Sequence, residues 1–96
     1  MSSTCPQLGF ELRLTPHPDI DDGVRRELHH AFIECVAARG LCYTGRRDVA
    51  EWILLVWREG SQADDLDREA LRAWADERPE VALVSIGVLF DVGHGG

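Results

Sequence analysis

The sequence predicts an α+β fold with elements in the order β-α-β-β-α-β, and three patterns carry that prediction. Val81 to Val92 (VALVSIGVLFDV) is apolar, with Ala82, Val84, Ile86, Val88 and Phe90 on one face at the period of a strand. Leu8, Phe10, Leu12 and Leu14 alternate with Glu11 and Arg13, the signature of a half-buried strand. Between them Ile20, Val24, Leu28, Ala31, Phe32, Cys35 and Val36 recur every three or four residues, as on a helix. A terminal strand as apolar as Val81–Val92 is expected to pair inside a sheet, because exposed it would aggregate. The compact solution packs two helices on one face of a four-stranded antiparallel sheet. This two-layer sandwich is the ferredoxin-like split βαβ, in which right-handed crossovers put both helices on the same side.

The elements follow in order. Met1 to Gln7 is expected to be a flexible lead-in. The first strand starts at Leu8 and is broken by Pro16 and Pro18, since proline cannot donate to the ladder. A helix is predicted from Asp19 or Ile20 to Arg39, with Asp19, Asp21 and Asp22 at its positive end and Gly40 as its C-terminal stop. Leu41 to Thr44 reads as a short strand, Gly45 to Asp48 as a connection, and Val49 to Arg58 as the returning strand of a hairpin.

That returning strand is apolar on both faces: Trp52, Leu54 and Val56 alternate with Ile53, Leu55 and Trp57. Such a strand is interior with its second face covered, or its second face meets a partner. Around Trp52 and Trp57 that face would allow a homodimer. Asp64 with Asp67 forms a capping signal for a second helix, Asp65 to Glu77, burying Leu66, Ala70, Leu71 and Trp74 and stopped by Pro79. Gly93 to Gly96 reads as a flexible tail, so residues 8–92 form the single domain.

A chain of 96 residues buries one modest core, roughly two-thirds of its unfolded surface. The apolar run Ile53 to Trp57 is too short to cross a bilayer, and Met1 to Pro6 has neither a basic region nor a hydrophobic stretch. A cytoplasmic protein with no membrane partner is expected. The formal charge is −7, from 17 acidic and 10 basic residues, which argues against DNA and other sequence-blind nucleic-acid binding. Every basic residue is Arg, better than Lys at forking onto phosphate and stacking on bases, but genomic codon bias is the favoured explanation.

Candidate chemistry is sparse. Cys5, Cys35 and Cys42 have no C-x-x-C spacing, so neither a disulfide framework nor a zinc site is expected. His29 and His30 lie about 100° apart on a helix and do not converge on one metal. The acid groups around Asp19–Asp22 and Asp64–Asp67 lack the layout of a calcium loop and serve as helix caps. No phosphate loop, nucleophile elbow or Cys-His pair is visible, so no enzyme activity and no cofactor are expected. The concentrated basic turn is Thr44 to Asp48. There Arg46 and Arg47 are candidate contacts for rRNA phosphate or an acidic protein patch, with Trp52 beside them on the apolar strand. The competing reading is a solvated turn neutralised by Asp48 and Glu51. The ending Gly95-Gly96 also invites comparison with Gly-Gly-tailed sulfur carriers, but their β-grasp domain opens with a hairpin and this chain with one strand.

Several short motifs resemble one bacterial family in order and spacing. These are Leu8-Gly9-Phe10, Phe32-Ile33-Glu34, Gly40 to Gly45, Arg72-Ala73-Trp74 with Asp76 to Pro79, and Val84 to Val92. Together they resemble the YggL-like proteins, described as binding the 50S ribosomal subunit. The resemblance implies a non-enzymatic accessory protein whose partner is that subunit, through rRNA or a ribosomal protein, and assigns no residue a role. Better-known members carry a Lys/Arg-rich N-terminal extension that this sequence does not show, and often end in Trp where this chain has Gly93. The alternatives are a protein–protein interaction domain without ribosome affinity and, further off, a sulfur carrier.

Overall fold

The computed structural model describes residues 7–92. Strand β1 spans Leu8–Pro16, helix α1 Asp22–Ala38, β2 Leu41–Arg47, β3 Trp52–Arg58, α2 Asp65–Asp76, β4 Val81–Ile86 and a short β5 Phe90–Asp91. The strands lie in the order β2-β3-β1-β4, all neighbours antiparallel, with β5 also beside β1. β1 and β2 are therefore parallel with β3 between them, which is the split βαβ arrangement. The expected lead-in and tail lie, Gln7 apart, outside the described residues.

One face of the sheet carries the core. Phe10, Leu12 and Leu14 of β1, Trp52, Leu54 and Val56 of β3, and Ile86 of β4 meet Leu28, Phe32 and Val36 of α1 and Leu71 of α2. The cross-strand registers Leu12 to Leu54 and Leu12 to Ile86 put these side chains on one face, as the strand period requires. Each large side chain buried here contributes about 1.5–3 kcal/mol. No helix among the described residues is long and apolar enough to cross a membrane.

Several boundaries differ from the sequence expectation. α1 starts at Asp22, later than Asp19 or Ile20, because the Asp21 carboxylate accepts the Val24 amide at 2.8 Å and caps it. Gly45 is not a turn residue: β2 runs on to Arg47, and the hairpin turn is Asp48 to Glu51, closed by Asp48 N–H donating to Glu51 O at 2.9 Å. Gly45 sits at φ +141°, and a Cβ there would stand 2.2 Å from Ile53 O. The glycine is needed because β2 and β3 approach closely. Leu66, expected in the core, is 67% exposed; Asp67, Leu71 and Ala75 take the buried stripe of α2.

The terminal strand is an edge, not an interior strand, and it is interrupted. Leu12 pairs with Ile86 and Gly9 with Phe90, so the two residues between them on β1 face three on the other side. That extra residue is a β-bulge. Gly87 N–H donates to Glu11 O at 2.8 Å, and Gly87 O accepts from Arg68 Nε at 2.8 Å, which ties the bulge to α2. Alternation resets across it. Val88, expected to share the face of Val84 and Ile86, is 73% exposed, while Leu89 packs on the core.

Candidate functional site

Arg46 and Arg47 are consecutive in β2 and so project to opposite faces of the sheet. Arg47 is paired with Trp52 on the helix side, Arg46 with Ile53 on the other. Both are exposed, and neither makes an ion pair or hydrogen bond with a described residue. Asp48 and Glu51 shape the turn through their backbone and form no ion pair with either guanidinium.

Trp52 is not a surface residue. It is 3% exposed, with Phe32 and His29 each at 5.9 Å in edge-to-face contact, and the expectation that it offers a partner contact is corrected here. The error follows from the strand period: Trp52 and Trp57 are five positions apart and cannot share a face. The apolar second face is built by Ile53, Leu55 and Trp57 alone from β3. His29, behind Trp52, shares a hydrogen bond with the Tyr43 hydroxyl at 3.1 Å. Burial, and then the charges of Arg47 and His30, hold its imidazole below the ordinary histidine value.

Among the described residues no helix covers the second face. Across it the register places three rows: Arg46, Ile53 and Arg13; then Thr44, Leu55 and Glu11; then Cys42, Trp57, Gly9 and Phe90. Phe90 reaches this face, instead of the core face expected for it, because of the bulge, and is 45% exposed. Two hollows of about 430 and 330 Å³ adjoin there, sharing Thr44 and Leu55. Glu11 and Arg13 pair at 3.3 Å in the middle of the face.

At the far end of the sheet from the hairpin turn, one carboxylate is fully buried. Asp67 Oδ1 accepts from Arg58 Nη2 at 2.6 Å and from Arg39 Nη2 at 3.0 Å. Asp67 Oδ2 accepts from Asp64 N–H, closing the capping box with Asp64 Oδ1 and Asp67 N–H. Arg58 also donates to Arg39 O at the end of α1. The capping box was legible as Asp-x-x-Asp; the arginines, 28 and 9 residues away, were not. This node ties β3, α1 and α2 together, and none of its three side chains lines the hollows of the second face.

Among the described residues no group of three or more His, Cys, Asp or Glu side chains is placed to hold a metal ion. Burial pushes the Cys35 thiol up, against the weaker pull of Arg39 and Arg78, so it stays protonated. Cys42 Sγ lies 3.6 Å from Glu59 Oε1 and near no histidine contact. Cys5 and the Gly95-Gly96 ending lie outside the described residues.

A split βαβ sandwich with an open, partly aromatic sheet face and an exposed basic hairpin defines a small two-layer α+β module. Within that class, the family model of the YggL 50S ribosome-binding proteins matches residues 5–94 of the 96, and the chain belongs to that family. Comparison with curated proteins and with solved structures finds no match.

Proposed function

We propose that this chain is a non-enzymatic accessory protein that binds the large ribosomal subunit in the cytoplasm, and that Arg46 and Arg47 make part of the contact. The family description supports the partner. The single structural observation that supports the contact is the pair of exposed guanidiniums that form no ion pair with a described residue, in a chain of net charge −7. Elsewhere the chain's Asp and Glu residues would repel phosphate, so attachment to an rRNA-rich particle is confined to a local basic point. The test is pelleting of the purified chain with purified 50S subunits at low and moderate salt. Binding that weakens as salt rises is expected; no binding at either salt overturns the reading.

A second reading, a protein-interaction module without ribosome affinity, is favoured by the uncovered apolar residues Leu55, Trp57 and Phe90. It predicts that a Trp57 substitution breaks a protein complex while loss of Arg46 and Arg47 changes nothing.

A further inference from the structure

We propose that the helix-free face of the sheet binds single-stranded RNA by stacking bases on Trp57 and Phe90, with Arg46 holding the sugar-phosphate backbone. This deepens, and rests on, the reading that the chain contacts the large subunit.

Trp57 and Phe90 are the cross-strand neighbours of Gly9 on either side, so two aromatic side chains flank a residue that has none. Strand spacing puts them about 10 Å apart. A Cβ at Gly9 would stand 2.4 Å from Val56 O, 3.0 Å from Val92 Cγ1 and 3.1 Å from Trp57 Cβ, so only glycine fits between the two rings, with the Val92 side chain packed against it. The adjoining hollows fall in the range of about 300–1,000 Å³ typical of ligand clefts.

The charges are arranged to suit a polyanion. At the other end of the face, Ile53 has an arginine on each side, Arg46 and Arg13. The aromatic row lies four strand positions from that row, about 13 Å, which an unstacked strand crosses in a few nucleotides. Glu11, the acid between them, is engaged by Arg13. Planar rings for bases and a forked cation for phosphate, side by side on an open sheet, is the chemistry that recognises unpaired RNA; a duplex hides its base faces. A flat apolar protein partner suits the face less well, because it would desolvate the Glu11–Arg13 pair at its centre. RNA leaves that pair wet.

The experiment titrates the full chain into fluorescently labelled single-stranded oligoadenylate and into its duplex, reading anisotropy at low and moderate salt. Single-strand binding stronger than duplex binding is expected. Trp57→Ala and Phe90→Ala should each weaken it about tenfold, Trp57→Phe should restore most of it, and Arg46→Ala should flatten its salt dependence. Phe90 lies on an exposed edge, so its variant keeps the test valid if Trp57→Ala fails to fold. No single-strand binding at low salt, or binding indifferent to both aromatic variants, overturns the proposal. So does a dimer in sedimentation velocity that Phe90→Ala dissolves, since a second copy would then own the face. The same variants are pelleted with 50S subunits. If the aromatic variants still pellet while Arg46→Ala/Arg47→Ala does not, this inference fails alone. If wild type does not pellet, the ribosome reading fails, and the oligonucleotide titration still decides the face.

Discussion

Arg58 Nη2 donates to the buried Oδ1 of Asp67 at 2.6 Å, and through that contact the end of β3 holds the first turn of α2. Arg39 joins from the end of α1. Removing the carboxylate strands two guanidiniums and opens the helix cap. Asp67→Ala should therefore cost about 2–4 kcal/mol, measured by urea unfolding. A loss below about 1 kcal/mol would show the node to be incidental.

The same contact sets an acid limit. Burial raises the Asp67 carboxyl, but the hydrogen bonds from Arg58, Arg39 and the Asp64 amide outweigh it and leave it below the ordinary value. Its stabilisation is then complete above the unfolded carboxyl pKa, about 3.9, and is lost as pH falls through the lower folded value. Wild type should lose more stability than Asp67→Asn on acidification through that window, read as thermal midpoint against pH. Parallel curves would contradict this.

His29 titrates in a milder range with the same sign. Its imidazole is held neutral by burial and by Arg47, so its contribution is present above the unfolded value of about 6.5 and fades as pH falls through the lowered folded one. Proton NMR should give His29 a pKa below the ordinary histidine value. Tyr43→Phe, which removes its hydrogen-bond partner, should cost about 0.5–1.5 kcal/mol.

Gly45 predicts an intolerant position inside a solvent-exposed strand. Gly45→Ala places a Cβ against Ile53 O at a backbone angle that side chains rarely adopt. The expected cost is about 2–4 kcal/mol, with displaced β2–β3 amide shifts in NMR spectra. A neutral effect would mean that Gly45 is the turn residue the sequence suggests.

Leu66 and Leu71 should respond oppositely to the same change. Leu66→Ala, on the exposed side of α2, should lie within about 0.5 kcal/mol of wild type, and Leu71→Ala should cost about 2–5 kcal/mol. Equal losses would contradict the orientation of the helix.

What the sequence made legible was whatever local periodicity encodes. The strands around Phe10 and Leu54, the stripe Leu28, Phe32, Val36, and the cap Asp64 with Asp67 were all readable from spacing, and with them the element order. What was lost depends on tertiary pairing. Gly45 carries the same letter whether it turns the chain or lets two strands approach. The bulge at Gly87 to Leu89 shifts alternation by one residue and moved Phe90 from the expected core face to the open one. Trp52 and Trp57 looked alike in a strand apolar on both sides, and only the position of α1 separates the buried ring from the half-buried one. Arg46 and Arg47 were visible as a basic pair, but their lack of acidic partners was not.

The most direct test of the central claim is the affinity of purified 50S subunits for wild type and for Arg46→Ala/Arg47→Ala, measured by pelleting across a salt series. The account predicts salt-sensitive binding by wild type, and a double variant that keeps its fold by circular dichroism yet binds about tenfold or more weakly with a shallower salt slope. Wild type and variant binding alike at every salt concentration would contradict it.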